Sequence, residues 1–139
     1  MNLELSVVIP VYNEIESLPI CYERVSVVLN ALNINYELIF IDDGSKDKSD
    51  VYITDIANKD ENVKVILLSR NFGKEAALTA GIDFSSGDKL IILDADLQDP
   101  PELIPEMIAV YNEKEVDVVL MKRTERDGES QTKKKTAYW

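Results

Sequence analysis

A chain of 139 residues with 45% hydrophobic content is one domain's worth of sequence, with enough apolar side chains for a sizeable core. The net charge of −11 argues against non-specific nucleic-acid binding, and the absence of histidine removes Ser-His-Asp and Cys-His nucleophile pairs and histidine-based zinc sites. Cys21 is the only cysteine, so no internal disulfide forms and a reducing compartment is the default. No apolar run reaches the roughly eighteen residues of a membrane span, and the N-terminus lacks the basic-then-apolar pattern of a signal peptide.

Residues 5–9 are apolar enough for a buried strand, closed by Pro10. Residues 11–14 form a loop, and Ser17 is placed to cap a helix with Pro19 in its first turn. Leu18, Cys21, Val25, Val28 and Leu32 recur at helical spacing, so that helix has one apolar face. Asn33 and Asn35 break it, and residues 36–41 read as a second buried strand. The turn Asp42, Asp43, Gly44, Ser45 follows at once, then a helix over 49–58.

Residues 63–68 are the third strand, 69–74 a loop, and 75–84 a helix with Gly81 as a weak point. The apolar run at 90–93 predicts a fourth strand ending abruptly in Asp94, Ala95 and Asp96. Asp99 is a natural N-cap for a helix over 101–112, with Pro100 in the first position and Glu102 where a capping box places its acid. A fifth strand spans 116–121, after which the text is polar and irregular. Strands alternating with helices predict an α/β fold with a mostly parallel sheet and right-handed crossovers. The apolar ending at Ala137, Tyr138 and Trp139 reads as cut rather than finished.

In a parallel sheet the loops 10–14, 42–45, 69–74 and 94–99 share one edge, so their polar groups converge. They supply the acids Glu14, Asp42, Asp43, Asp94, Asp96 and Asp99, and the cations Arg70 and Lys74. Acids gathered at one place are costly unless a cation joins them, and without histidine that cation is a hard, oxygen-liking ion such as Mg²⁺ or Mn²⁺. Each feature also has a plainer reading. The acids suit solvated turns, Asp42–Ser45 suits a bare strand-to-helix turn with Ser45 capping, Tyr12 suits a packed loop aromatic as well as a stacking platform, and Arg70 and Lys74 suit surface charges. Cys21 and Ser130 are structural rather than nucleophilic, since no base accompanies them. The first strand is not followed by Gly-X-Gly-X-X-Gly, and no Walker A motif occurs, which argues against nicotinamide, flavin and P-loop nucleotides. Lys122, Arg123, Arg126, Lys133, Lys134 and Lys135 face only Glu125, Asp127 and Glu129, so the chain ends basic. That end suits an anionic partner, a phosphate or a membrane surface, or else a solvated tail.

The segments Val8-Ile-Pro-Val-Tyr-Asn-Glu14, Ile41-Asp-Asp-Gly-Ser45, Arg70-Asn-Phe-Gly-Lys74 and Leu93-Asp-Ala-Asp-Leu-Gln-Asp-Pro-Pro101 together resemble the inverting GT-A glycosyltransferases of family 2. They are most similar to the polyprenyl-phosphate branch, which includes bactoprenol glucosyltransferases and dolichyl-phosphate mannose synthases. The resemblance implies a GT-A domain over 1–121 and the start of an acceptor-side segment over 122–139. It implies that Pro10, Tyr12, Glu14, Asp42, Asp43, Arg70 and Lys74 hold a nucleotide sugar, a UDP-sugar first. It implies that Asp94, Asp96 and Gln98 bind Mg²⁺ or Mn²⁺, while Asp99 caps. Arg123, Arg126, Lys134 and Lys135 would meet the acceptor phosphate, making Asp94, Asp96 and Arg123 the catalytic set. The implied reaction moves a hexose, glucose from UDP-glucose, to a polyprenyl phosphate with inversion at the cytoplasmic membrane face. Mannose, N-acetylglucosamine and an aminoarabinose derivative remain alternatives, as does a nucleotide-sugar-binding module without turnover, and a homo-oligomer stays open. This chain alone would be soluble, and two membrane spans often follow the catalytic domain in that family.

Overall fold

The apolar runs become parallel strands, and their order brings the first and fourth together at the centre. The structure, a computed structural model, describes residues 3–98, 100–114, 118–120 and 131–133. Its elements are β1 (Leu5–Val11), α1 (Leu18–Ala31), β2 (Tyr36–Asp42), α2 (Ser49–Lys59), β3 (Val63–Leu67), α3 (Lys74–Phe84), β4 (Lys89–Ile92), a 3-10 turn at Pro101–Leu103, α4 (Ile104–Lys114), β5 (Val118–Leu120) and β6 (Gln131–Lys133). The sheet order is β3-β2-β1-β4-β5-β6, parallel except for β6. Arg123, Arg126, Lys134, Lys135 and the cap expected at Asp99 lie outside the described residues.

Alternation along the strands sends side chains to two cores. Val7, Ile9, Leu38, Phe40 and Ile91 meet α1, α2 and α4 through Leu18, Cys21, Val25, Ile53, Ile104 and Met107. Val8, Ile39, Ile41, Leu90 and Ile92 meet α3 through Ala77 and Leu78. Helices therefore cover both faces, which explains why the strands read as unbroken apolar runs. The chain winds outward from β1 through β2 to β3, then returns to place β4 on the other side of β1. The seam between β1 and β4 is thus the switch point of a doubly wound sheet, where open α/β folds take their ligands.

Several local expectations need correcting. Pro10 does not close β1, which runs on to Val11. The Leu93 amide donates to the Val8 carbonyl and the Asp43 amide to the Val11 carbonyl. By alternation, Pro10 faces the β4 side beyond the point where β4 stops, so its missing N–H costs no ladder bond. Gly81 is no weak point: a Cβ there would stand 2.5 Å from Ile41 Cδ1 and 2.7 Å from Val8 Cγ1, so glycine lets α3 lie close on the sheet. The helix after β4 opens as a 3-10 turn with Pro100 in the cap position, and Glu102 pairs with Arg24 of α1 instead of closing a capping box. Strand β6, which pairs antiparallel with β5, was not expected, because three residues carry no readable period.

At the opposite edge of the sheet the buried Glu37 ties three elements together. Its carboxylate accepts from Ser6 Oγ (2.6 Å), the Ser86 amide (2.6 Å) and Lys64 Nζ (2.9 Å), while the Gly87 amide donates to Ser6 Oγ (2.8 Å). Burial alone would raise the Glu37 pKa, but these bonds together hold it below its usual value. Its ionised form therefore stabilises the fold above the unfolded carboxyl range, and that contribution disappears as pH falls through the lowered folded pKa. Glu37→Ala is expected to cost about 3–5 kcal/mol at neutral pH, with the gap to wild type narrowing on acidification; urea titrations at pH 7 and pH 4 check both.

Candidate active site

The loops leaving β1 and β2 are laced together before any ligand is considered. The Asn13 amide donates to Ser45 Oγ (2.8 Å), and the Lys46 amide returns a bond to Asn13 Oδ1 (2.8 Å). Asp47 Oδ2 accepts from the Ile15 amide (3.1 Å), while Oδ1 accepts from the amide and hydroxyl of Ser49. Ser49 Oγ then accepts from the Glu14 amide (3.0 Å). Asn13 and Lys48 both take positive φ to make this possible, at 53° and 76°. Sequence reasoning missed Asn13 and Asp47 as loop organisers; the signal was a short amide or acid in a turn, types that bond nearby backbone and tolerate this conformation. Ser17 holds the N-cap position of α1 as expected, with a proline in the first turn, but its Oγ makes no cap bond and donates to the Glu14 carbonyl (3.4 Å). Ser45 does not cap, and Asp47 serves the start of α2 instead.

At the switch point Pro10, Tyr12, Glu14, Asp43, Lys74, Asp94 and Asp96 line one cavity of about 190 Å³, floored by Ala95. Asp42 and Arg70 line an adjoining cavity of about 300 Å³ with Gly44, Ser45, Leu68 and Asn71. Tyr12, 45% exposed, borders both. Nine of the site residues expected from sequence are thus brought to two neighbouring hollows. Gln98, the tenth among the described residues, is exposed, and its amide donates to Asp96 Oδ1 (3.1 Å), a turn that carries Leu97 to a φ of 63°.

The two adjacent acids at the end of β2 have different environments. Asp42 is 3% exposed; its Oδ2 accepts from the Ser45 amide (3.0 Å), but Oδ1 is buried with no partner among the described residues. Asp43, equally buried, has both oxygens engaged by the amides of Phe72 (2.8 Å) and Gly73 (3.1 Å). Arg70 lies over the ring of Phe72, 4.8 Å from its centroid.

Negative charge dominates the floor. Lys74 Nζ donates to Asp94 Oδ1 at 2.8 Å, the one ion pair there among the described residues. Glu14 is pushed above its ordinary 4.5, first by burial, then by the charges of Asp96, Asp94 and Asp47, with Lys74 opposing weakly. Among the described residues no three acid or thiol side chains stand close enough to enclose a metal ion. The donor set fits the other way a hard cation is held, by one or two carboxylates with the remaining ligands from phosphate and water. The charges of Asp96, Asp94 and Asp47 add to the effect of burial on Glu14, and a further positive charge would act against them. Cys21, pushed up to about 12 by burial, is inert in the core.

The model of Glycosyl transferase family 2 matches residues 6–138. The uncharacterised glycosyltransferase sll0501 of Synechocystis is 47% identical over 137 residues, covering 99% of this chain and 43% of the relative. The prophage bactoprenol glucosyl transferase homolog of Escherichia coli K12 is 42% identical, covering 99% of this chain and 44% of that protein. The chain therefore spans less than half the length of these curated relatives. Among solved structures, S. aureus TarS 1-349 in complex with UDP superposes with a TM-score of 0.59 at 25% identity, covering 93% of this chain and 38% of that one. The mostly parallel sheet with helices on both faces is the expected GT-A arrangement.

A carboxyl whose folded pKa is raised costs stability above its folded pKa and nothing below its unfolded one. Glu14→Gln is therefore expected to raise the melting temperature at pH 7, an advantage that vanishes below about pH 4. Thermal unfolding of the metal-free protein across that range measures it; equal gains at both pH values would mean that charge is not the cause.

Proposed function

The chain belongs to glycosyl transferase family 2, and on that footing we propose that it is the nucleotide-sugar side of a glycosyltransferase that moves a hexose to a polyprenyl phosphate. The observation that carries this reading is the buried Asp42 Oδ1, without a partner among the described residues, in a residue that lines one hollow with Tyr12 next to the acids of the β1–β4 seam. A buried acceptor without a donor is costly, and the ring N–H of a uracil satisfies it while Tyr12 stacks on the base. The likeness to a UDP complex supports the choice of uridine. Pro10 and Glu14 then border the ribose and diphosphate, with Arg70 and Lys74 supplying the cations that meet phosphate oxygens.

Asp94 and Asp96, with Gln98 close by, would hold Mg²⁺ or Mn²⁺. When bound, such an ion offsets negative charge developing on the departing diphosphate. This chain's own part is to fix the leaving group: Asp94 and Asp96 follow the end of β4, and Lys74 reaches Asp94 from the start of α3. A phosphate monoester acceptor, with a second pKa of about 6, is already mostly dianionic at neutral pH, so no strong base is needed. That agrees with a chain without histidine. Residues 1–121 form the donor domain in this reading. Arg123, Arg126, Lys134 and Lys135 approach the acceptor phosphate at the cytoplasmic membrane face. The similarity to a bactoprenol glucosyl transferase homolog favours glucose from UDP-glucose, transferred with inversion.

Calorimetry with UDP and Mn²⁺ tests the site. Asp96→Ala is expected to abolish metal-dependent UDP binding while leaving the circular dichroism spectrum unchanged; persistence of that dependence would remove Asp96 from the metal. Asp42→Asn, which turns an acceptor into a mixed group, is expected to weaken UDP about tenfold or more. Arg123→Ala should spare UDP binding and slow transfer to the lipid phosphate, whereas lost UDP affinity would place Arg123 on the donor side.

A further inference from the structure

Asp43 borders the first cavity, yet both of its carboxylate oxygens are taken by backbone. The Phe72 amide donates to Oδ1 at 2.8 Å and the Gly73 amide to Oδ2 at 3.1 Å. Its own amide donates to the Val11 carbonyl (2.8 Å), fastening the residue to the end of β1. Immediately after it, Gly44 takes a φ of 78°, and a Cβ there would stand 2.5 Å from both Arg70 C and Asn71 N. The loop after β3 therefore rests directly on residues 43 and 44, held from the side by a carboxylate and from below by a missing methyl.

What this loop carries matters. Gly73, with φ at 106° and ψ at 156°, stands just before α3, and Lys74 is the first residue of that helix. Glycine adopts this conformation without steric cost but is equally free to leave it, so the surroundings fix it. A carboxylate accepting two amides is the strong, charge-assisted kind of hold that can do so. From there Lys74 spans to Asp94 at the end of β4. The contrast with Asp42 is direct: that neighbour keeps one buried oxygen without a partner among the described residues, and both oxygens of Asp43 are bonded.

We propose that Asp43 is a positioning residue, which through Phe72 and Gly73 places Lys74 at Asp94 and so sets the charge of the cavity floor, and that it is not a ligand of the nucleotide. Only what Lys74 then does, meeting the diphosphate, rests on the proposed function. This assigns Asp43 a different task from the nucleotide contact expected of it from sequence.

The first test needs no ligand. The Lys74 side-chain resonances are followed by NMR in the purified protein, with Asp94→Asn supplying the spectrum of a broken pair. Asp43→Asn is expected to move those resonances to their Asp94→Asn positions and to speed amide exchange at Phe72 and Gly73 about tenfold or more. Gly44→Ala, which displaces the same loop from below, is expected to shift Lys74 likewise and serves if Asp43→Asn does not fold. Unmoved Lys74 resonances in either folded variant overturn the proposal. The second test is a cycle on UDP affinity with Mn²⁺ present. Asp43→Asn should weaken UDP about tenfold by itself, but less than about twofold in a protein already carrying Lys74→Met. Equal losses in both backgrounds would make Asp43 a direct ligand and overturn the proposal. If wild-type protein does not bind UDP, the proposed function fails instead, and the ligand-free test alone decides the role of Asp43.

Discussion

Everything at the site depends on β1 lying in parallel register between β2 and β4. That pairing buries Val7, Val8 and Ile9 completely, and it brings the ends of three strands to one edge. Because β4 follows β3 in the chain but sits on the far side of β1, the loops at the seam part in opposite directions. The gap they leave is the cavity between Pro10, Glu14, Asp94 and Asp96. A sheet without that reversal would have closed it with a packed crossover.

A seam of acids is an unstable arrangement unless the backbone beneath it is held. The holding is done by side chains that belong to other loops. Asn13 and Ser45, then Asp47 and Ser49, bind the first loop to the second; Asp43 binds the second to the third. Polar groups so engaged no longer compete for ligand. Glu14, Asp94 and Asp96 take no part in that lacing, though Lys74 engages one oxygen of Asp94 and the Gln98 backbone amide one of Asp96. Asp42 keeps one oxygen without a partner among the described residues. Glu14 is shifted upward first by its burial and then by the neighbouring carboxylates, and Lys74 offsets that only in part. A metal ion with a diphosphate is one physical answer to that surplus, and it is the basis of the proposed function.

The arrangement also separates two kinds of demand on the second strand's end. Asp42 and Asp43 are chemically identical and adjacent, so they point to opposite sides of β2's terminus. One finds a single amide, with its second oxygen unbonded among the described residues, and the other finds two amides of a neighbouring loop. Glycine at 44 permits that neighbour to come close enough. The difference in role arises from what the opposite sides face.

Much was legible in the amino-acid sequence alone. The strand and helix order, the apolar face of α1, the convergence of four loops and the family motifs are all local patterns or ordered sets of them, so they are carried by composition and spacing. Pro10 and Gly81 were misread because their meaning depends on the neighbour: a proline is harmless where the adjacent strand has ended, and a glycine is required where a helix lies against a sheet. Ser45 and Glu102 have the chemistry of caps, but partners distant in sequence, Asn13 and Arg24, decided their bonds. The division of labour between Asp42 and Asp43 had no local signal at all. Sequence determines which groups reach the carboxyl edge of the sheet, because the strand period and the parallel crossovers fix that. Which of those groups remain free for a ligand is decided only by tertiary structure, because hydrogen-bond capacity is consumed by residues about thirty positions away.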